Sequence, residues 1–346
     1  MTQKNLNLNK NVNVKIKKKK KISWKMVAIF IIFEFIFTAI TGPFMLYYGP
    51  FENVKKSMVA AIMQTRTHQY FATAFLSENK ISEILGRDVS NLSGWVNTDS
   101  EEQQTSDIQI PKKHDSSITR YDIEGKKYSG YLLEIKDPTR IRVAMTKKFG
   151  KEGQRTSQMA KDNNAVAAVN GGGFTDKSAD GTLWAGTGAY PTGLVISDGQ
   201  VLYNDVAEKT KSSVMAVSKD GLLIVGEKSL TDLKKAGVKE ALSFGPSLIV
   251  NGKLQKGLDP GPNPRTAIGQ KKDGTILMLV IDGRQGVKLG ASLLDVQEIL
   301  AKYGAWNAIN LDGGSSSTMY YEGEVINNPS DPLGERAVAT AVYVEK

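Results

Sequence analysis

The sequence predicts an α+β fold: a β-rich domain of mixed or antiparallel sheet with a few packed helices, preceded by one transmembrane helix and a helical stalk. Three features of the chain support this prediction. An apolar run near the N-terminus is long enough to cross a bilayer, and a segment with helical spacing and few glycines follows it. From about residue 117, short apolar runs then alternate with turn dipeptides, as in hairpins.

The apolar run covers residues 26–48 and contains a single charge, Glu34. About 20 residues are enough to cross the hydrocarbon core as a helix. The residues before the run are rich in lysine, so the positive-inside rule places the N-terminus in the cytoplasm and the rest of the chain outside. A cleaved signal peptide is the alternative, but the run exceeds the usual h-region of roughly 7–15 residues and lacks a small-x-small cleavage site. We therefore predict an uncleaved single-pass anchor in the cell membrane.

Most of the positive charge belongs to the segment before this run. Nine lysines and no acidic residue lie in the first 25 positions, and the other 36 basic residues match the 36 acidic ones. The rest of the chain is therefore neutral, and we predict no nucleic-acid partner.

The absence of certain residue types restricts the chemistry. The chain has no cysteine, and its only histidines are His68 and His114. A Ser-His-Asp triad, a Cys-His pair and a zinc site with His or Cys ligands are therefore excluded from residues 115–346. The run from Asp176 to Gly181 begins like a calcium loop, but its twelfth position is Thr187 instead of glutamate. We predict neither a metal nor a cofactor.

We expect five segments in chain order. These are a basic cytoplasmic tail (1–25), the anchor (26–48), a helical stalk (49–90), a flexible polar linker (91–116) and a folded domain (117–346). Within the domain, helical patterns lie at Thr156–Asp162, Leu230–Ala236 and Ser292–Tyr303. The dipeptides that predict hairpin turns are Glu124-Gly125, Asp198-Gly199, Asp220-Gly221, Asn251-Gly252 and Asp273-Gly274.

Charge and glycine occur together where predicted strands end. The strand-like run from Trp306 leads to Asp312 and then to a turn of glycines and hydroxyls, 313–318. Glycines let substrate approach the backbone, and consecutive N–H groups in such a turn can form an anion-binding nest. Two further segments, 263–269 and 281–284, bring Arg265 and then Asp282 with an arginine. The glycines after Asn170 also follow an apolar run, and on their own they fit a sharp turn.

Four motifs in order resemble the phosphodiester glycosidase family over roughly residues 118–346. They are Asn170–Phe174, Asn263–Thr266, Asp282–Arg284 and Leu311–Thr318, with the helix 292–303 before the last. The resemblance implies a membrane-anchored extracytoplasmic hydrolase that cleaves a sugar-1-phosphodiester bond in a glycan or cell-envelope polymer. The alternative is a non-catalytic, membrane-tethered module that binds an anionic wall polymer or exopolysaccharide.

The residues in these motifs suit that chemistry. Asp312 and Asp282 are the candidates for nucleophile or for the base that activates water. Arg265 and Arg284 are placed to hold a phosphodiester, unless each forms a structural salt bridge. A phosphate neutralised by arginines leaves readily, so strong acid catalysis is less necessary than in ordinary glycosides. Catalysis by a Ser315 nucleophile is disfavoured without histidine. The other predicted substrate-binding residues are Asn170, Gly171, Gly172, Thr266, Gly313, Gly314, Ser315 and Ser316.

Overall fold

The structure is a computed structural model, in which two units are described separately, 1–52 and 53–346. It describes residues 23–63, 70–77, 80, 81, 84, 103, 107–111, 115–177, 183, 184, 187–259, 261–283, 288–331 and 333–346. The helices are α1 (Trp24–Tyr48), α2 (Glu52–Met63), α3 (Tyr70–Thr73), α4 (Thr156–Asp162), α5 (Leu230–Lys235) and α6 (Leu293–Lys302), with 3-10 turns at Pro138–Arg140 and Gly314–Ser316.

The strands of the second unit follow one another with short connections. They are β1 (Ile118–Glu124), β2 (Ser129–Ile135), β3 (Ile141–Met145), β4 (Gln154–Arg155), β5 (Ala165–Asn170), β6 (Phe174–Lys177), β7 (Leu183–Trp184), β8 (Tyr190–Pro191), β9 (Leu194–Ser197), β10 (Gln200–Asn204), β11 (Ser212–Ser218), β12 (Leu223–Lys228), β13 (Val238–Ser243), β14 (Ser247–Val250), β15 (Lys253–Leu254), β16 (Arg265–Lys271), β17 (Ile276–Asp282), β18 (Ala305–Leu311), β19 (Met319–Tyr321), β20 (Glu324–Val325), β21 (Ala337–Val338) and β22 (Thr340–Glu345).

The first unit contains the apolar helix α1. Its large side chains, such as Phe30, Ile31 and Phe33, are exposed on every side of the helix. Within the described residues this is the helix long and apolar enough to cross a membrane, with a mean hydropathy of 2.1 in its most apolar window. A helix that is apolar all round is suited to lipid rather than to a water-exposed surface. Signal sequences near an N-terminus share this composition.

Three β-sheets form the core of the second unit. A seven-stranded sheet has the order β1-β2-β17-β16-β18-β14-β15, and two five-stranded sheets have the orders β10-β9-β13-β11-β12 and β20-β19-β5-β22-β3. One face of the seven-stranded sheet, its inner face, packs against both five-stranded sheets through a single apolar cluster. Helix α6 covers its outer face, and α5 and α4 cover the outer faces of the other two sheets. The predicted α+β, β-rich fold with a few packed helices is confirmed.

The turn dipeptides all lie where the sequence places hairpins. They connect β1 to β2, β9 to β10, β11 to β12, β14 to β15 and β16 to β17. At Asp198-Gly199 and at Asn251-Gly252 both residues have positive φ, between 48° and 76°, as type I′ turns require. The predicted helices are also present, and Ser292 with Asp295 forms a capping box that begins α6.

The remaining segment predictions are tested less completely. Helices α2 and α3 lie within the predicted stalk. The lysine-rich residues 1–22, most of the predicted linker and residues 178–182 of the calcium-like run lie outside the described residues. The segment boundaries therefore stay predictions.

Candidate functional site

The central strands of the seven-stranded sheet bring three of the motifs to one end of the sheet. Strand β16 begins at Arg265, which pairs with Ile281, the residue before Asp282. On the other side of β16, Thr266 pairs with Leu311, the residue before Asp312. Strands β17 and β18 therefore end on either side of the start of β16, and each ends next to one carboxylate. Antiparallel pairing explains why motifs so far apart in sequence meet here.

Asn170, at the end of β5, connects the first motif to the motifs that contain Thr266 and Asp312. Its side-chain nitrogen donates to the Asp312 carbonyl at 2.5 Å. Its side-chain oxygen accepts from the Thr266 hydroxyl at 2.7 Å and from the Thr318 backbone N–H at 3.1 Å. Asn170 and Thr266 are fully buried. Their hydrogen bonds hold the backbone around Asp312 in place, and this positions the carboxylate.

The three glycines after Asn170 allow β-sheet backbones to approach closely. A side chain at Gly171 would place its Cβ 2.4 Å from the Thr340 hydroxyl, and one at Gly172 would place it 2.5 Å from the Ser243 carbonyl. The N–H groups of Gly171 and Gly172 donate to the Thr340 carbonyl and hydroxyl, respectively. These contacts give both glycines a packing role, and their predicted contact with substrate stays a prediction.

The glycines after Asp312 already use their N–H groups within the protein. The N–H of Gly313 donates to Asp312 Oδ1 at 3.0 Å, and that of Gly314 donates to the Pro264 carbonyl at 2.9 Å. Gly314 has φ of +62°, a conformation that favours glycine. The predicted nest consists of the N–H groups of Gly313, Gly314 and Ser315. Of these three, only the Ser315 N–H has no acceptor among the described residues. The turn therefore presents hydroxyl groups more than backbone donors.

The two carboxylates differ in their surroundings. Asp312 is half-buried, and its carboxylate is oriented by the Gly313 N–H. Asp282 is 7% exposed and accepts hydrogen bonds from the Asn327 side chain at 2.9 Å and from the Asn328 N–H at 3.0 Å. Burial raises the pKa of Asp282, and the bonds from Asn327 and Asn328 oppose that rise. Burial therefore favours the protonated form of Asp282.

Arg265 lies on the other face of the sheet from Asp282. Arg265 pairs with Ile281 of β17, and the Ile281 side chain belongs to the apolar cluster under α6 on the outer face. Side chains alternate between the two faces along a strand, so Asp282, the next residue, points to the inner face. The Nη2 of Arg265 donates to Asp259 at 2.9 Å and to the Gly261 carbonyl at 2.8 Å.

The Nε of Arg265 donates to the Ala291 carbonyl at 3.1 Å. Burial lowers the pKa of Arg265, and the hydrogen bond and charge of Asp259 oppose that effect. The structure does not bring this guanidinium to the inner face, and its predicted contact with substrate stays a prediction. The second predicted arginine, Arg284, lies outside the described residues.

A third arginine, Arg336, reaches the site although it belongs to none of the four motifs. Its Nη1 donates to the Ser315 hydroxyl at 3.0 Å, and its guanidinium carbon lies 4.8 Å from the centre of the Phe174 ring. Phe174 ends the first motif and Ser315 belongs to the last. The one available sequence signal was the aromatic residue Phe174, whose ring suits a stacked guanidinium.

The hydroxyl groups after Ser315 are buried and unsatisfied. The side-chain oxygens of Ser316, Ser317 and Thr318 make no hydrogen bond within the described part of the chain. Buried hydroxyl groups in folded proteins normally have a hydrogen-bond partner, which is often a water or a ligand. Among the described residues, no cluster of three or more His, Cys, Asp or Glu side chains is suited to hold a metal ion.

Comparisons with known proteins agree with the motif pattern. The family model for phosphodiester glycosidase matches residues 163–345. The SPbeta prophage-derived uncharacterized protein YomE of Bacillus subtilis is 33% identical over 208 residues, covering 57% of this chain and 30% of that protein. Mouse N-acetylglucosamine-1-phosphodiester alpha-N-acetylglucosaminidase is 26% identical over 255 residues, covering 64% of this chain and 47% of the enzyme. The chain thus spans less than half the length of these relatives.

Solved structures show the same fold. The catalytic domain of zebrafish N-acetylglucosamine-1-phosphodiester alpha-N-acetylglucosaminidase, auto-inhibited by its pro-peptide, superposes with a TM-score of 0.56 at 24% identity, covering 71% of this chain and 88% of that one. A putative exported protein from Burkholderia pseudomallei superposes with a TM-score of 0.50 at 18% identity, covering 63% of this chain and 74% of that one. Since the family model matches more than half of the chain, this protein belongs to the phosphodiester glycosidase family.

Proposed function

We propose that this protein is a membrane-anchored, extracytoplasmic hydrolase that cleaves a sugar-1-phosphodiester bond in a glycan or cell-envelope polymer. The observation that supports it most is that β17 and β18 end on either side of the start of β16, at Asp282 and next to Asp312. The hydroxyl-rich turn 313–318 follows Asp312, and its Ser315 accepts from Arg336. The mouse relative is named for a sugar-1-phosphodiester, which supports the same class of bond here.

Asp312 is the proposed nucleophile or base. As a base, it removes a proton from water while the water oxygen bonds to the anomeric carbon. The bond from that carbon to the phosphate oxygen breaks, and a phosphate monoester leaves. As a nucleophile, the carboxylate itself forms the bond to the anomeric carbon, and water later hydrolyses the resulting ester. Either role requires a fixed carboxylate, and the bonds of Asn170 and Gly313 to residue 312 supply that.

Asp282 has the proposed role of proton transfer. Burial raises its pKa, so it holds a proton more readily than an exposed carboxyl group. The departing phosphate is a stable anion when positive charge neutralises it, so this proton improves the reaction instead of being indispensable. Gly313, Gly314 and Ser316 complete the wall of the proposed substrate site.

Turnover of a chromogenic sugar-1-phosphodiester by the full-length chain in detergent tests this function. We expect hydrolysis by the wild-type protein and its loss in Asp312→Asn. Tight binding of the substrate by the wild-type protein without any turnover would instead support the non-catalytic polymer-binding module. A carboxylate next to a bound phosphate favours the enzyme, because it repels the anion and gives a pure binder no benefit.

The proposed membrane anchor is α1, with the basic tail inside the cell and the domain after Tyr48 outside. Its length and its apolar surface on all sides support this arrangement. Protease added to intact cells should then digest the chain after Tyr48 and leave a short membrane-embedded fragment. A C-terminal domain that is protected in intact cells, but digested after lysis, would contradict the topology.

A further inference from the structure

We propose that Arg336 is the arginine that binds the phosphodiester group of the substrate. This inference rests on the proposed function and assigns its anion-binding residue. Neither the motif pattern nor the sequence resemblance pointed to residue 336, and the geometry around it is the reason for the assignment.

The guanidinium of Arg336 is held in a fixed place at the proposed catalytic edge, which consists of Asp282, Asp312 and the turn 313–318. It is 8% exposed, and its Nη1 donates to the Ser315 hydroxyl at 3.0 Å. The Phe174 ring lies 4.8 Å from its central carbon, within the range of a cation–π contact. These two contacts fix the position of a group that presents several N–H donors in one plane. A planar donor fork of this kind suits two oxygens of a phosphate.

The turn that contacts Arg336 also supplies unsatisfied hydroxyl groups. Ser316, Ser317 and Thr318 directly follow Ser315, are almost fully buried and have side-chain oxygens without a partner among the described residues. An unsatisfied buried hydroxyl costs about 1–3 kcal/mol, so a ligand that accepts hydrogen bonds gains by entering. A phosphodiester has two charged oxygens that accept such bonds. The guanidinium and the hydroxyls therefore suit the same anion.

The same turn is connected to both carboxylates. The Ser317 carbonyl accepts from the Asn327 side chain, which also donates to Asp282. Asp312 comes three residues before Ser315 in the turn. The turn that contacts Arg336 is therefore connected to Asp312 by the backbone and to Asp282 through Asn327.

Arg265 is also buried, but its guanidinium contacts other groups than the turn 313–318. Three of its N–H groups donate to Asp259, to Gly261 and to Ala291, on the α6 side of the sheet. A guanidinium with that many protein acceptors stabilises the loop around it. Arg336 and Arg265 are therefore a matched pair of buried arginines for an experiment.

The test measures phosphate binding separately from turnover. Calorimetry would give the Kd of inorganic phosphate and of dimethyl phosphate for the full-length chain in detergent, and a chromogenic sugar-1-phosphodiester would give kcat/KM. The variants are Arg336→Met, Arg336→Lys, Ser315→Ala and Arg265→Lys. Arg120→Met is the control, because Arg120 is exposed on β1 and pairs with Asp122. Thermal unfolding checks that each variant is folded.

We expect Arg336→Met to weaken the binding of both anions by about 10- to 100-fold, as the loss of charge-assisted hydrogen bonds predicts. Arg336→Lys should recover part of that loss, since lysine keeps the charge without the fork. Ser315→Ala should weaken binding less, because it removes only the group that orients the arginine. The Arg120→Met control should bind and turn over like the wild type.

The outcomes separate this inference from the proposed function. Turnover by the wild type together with unchanged Kd and kcat/KM in Arg336→Met would overturn the inference and leave the function intact. Phosphate binding that depends on Arg336, without any turnover, would support the inference and contradict the function. If Arg336→Met does not fold, unchanged anion binding in both Arg336→Lys and Ser315→Ala would overturn the inference.

Discussion

Two polar regions flank the same central strands, and their buried groups are satisfied to different degrees. On the outer face, the guanidinium of Arg265 donates to Asp259, to Gly261 and to Ala291. At the catalytic edge, the hydroxyls of the segment 316–318 have no partner within the described residues. Both regions are buried, so exposure does not distinguish them.

From this difference we expect the ligand to bind at the turn 313–318. Burial of a polar group is unfavourable unless the protein supplies a hydrogen bond, so satisfied groups mostly stabilise the fold. Groups left unsatisfied keep that bonding capacity for a substrate. The contrast predicts that changes at the catalytic edge affect function, whereas changes around Arg265 affect stability.

The largest effect is expected for Asp312→Asn at the catalytic edge. Asparagine keeps the size of the side chain but removes its charge and basicity, so kcat should fall by roughly 10²–10⁴-fold or more. Binding of a non-hydrolysable phosphonate analogue should survive or tighten, because the repulsion between carboxylate and phosphate is relieved. Measuring kcat and the Kd of the analogue in the same variant tests this.

The exposed carboxylate of Asp122 offers a control, since Asp122→Asn changes the same charge on β1, outside the proposed site. Equal losses of turnover and analogue binding in Asp312→Asn would mean that Asp312 maintains the pocket. The catalytic role would then be withdrawn.

The next effect concerns stability. Arg265→Lys replaces a fork that reaches three acceptors by a single ammonium group. It leaves the buried Ala291 carbonyl, or the half-buried Asp259 and Gly261 acceptors, with fewer donors. We expect the free energy of unfolding to fall by about 2–4 kcal/mol, measured by urea denaturation. The Kd of phosphate for the folded variant should change little. A variant as stable as the wild type, with a greatly lowered kcat/KM, would restore the sequence-based role of Arg265 in substrate binding.

The sequence was sufficient for features that depend on local chemistry. The turn dipeptides predicted hairpins because Asn and Gly tolerate positive φ, as the values at Asn251-Gly252 show. The helix α6 followed from one apolar stripe, and its start at Ser292 matches a capping box. The position of Asp282 and Asp312 at the ends of strands also followed, since each comes at the end of an apolar run.

Features that depend on register and long-range contact were out of reach. Which face Arg265 points to depends on its pairing with Ile281, and a shift of one residue would reverse it. Arg336 lies in an irregular segment, and its contact with Phe174 joins positions far apart in the chain. Neither periodicity nor composition indicates such a contact. Asn170 similarly appeared as part of a motif, without sign of its bonds to Asp312 and Thr266.

A satisfied carboxylate away from the site tests whether hydrogen bonds offset burial completely. Glu240 is 1% exposed and accepts from the backbone N–H groups of Val143 and Asp198. Burial nevertheless raises its pKa from 4.5 to about 7, and the two hydrogen bonds and Arg142 only partly oppose this. Between those pH values the folded state binds a proton that the unfolded state has released. Stability should therefore fall as the pH rises from about 4.5 to about 7.

The predicted loss over that pH window is at most roughly 3 kcal/mol, since one pKa unit corresponds to about 1.4 kcal/mol. Glu240→Gln should remove this part of the pH dependence, as measured by urea denaturation at several pH values. Glu208→Gln is the control, because Glu208 is exposed and pairs with Lys234. A pH profile in Glu240→Gln that is parallel to that of the wild type would show that Glu240 ionises normally.

The smallest effect, and the sharpest test of the comparison, comes from two buried threonines. The Thr318 hydroxyl has no partner among the described residues, whereas the Thr340 hydroxyl accepts from the Gly172 N–H at 3.0 Å. Valine has nearly the same shape, so each substitution removes only the hydroxyl group. Thr340→Val should lower the free energy of unfolding by about 1–3 kcal/mol, because the Gly172 donor is left unsatisfied. Thr318→Val should change it by less than about 1 kcal/mol, or raise it, because an unsatisfied polar group is removed. Urea denaturation of the two variants side by side gives the comparison.

Equal destabilisation would mean that the Thr318 hydroxyl already has a hydrogen-bond partner, such as an ordered water. The catalytic edge would then not differ from the rest of the domain in unsatisfied hydroxyl groups.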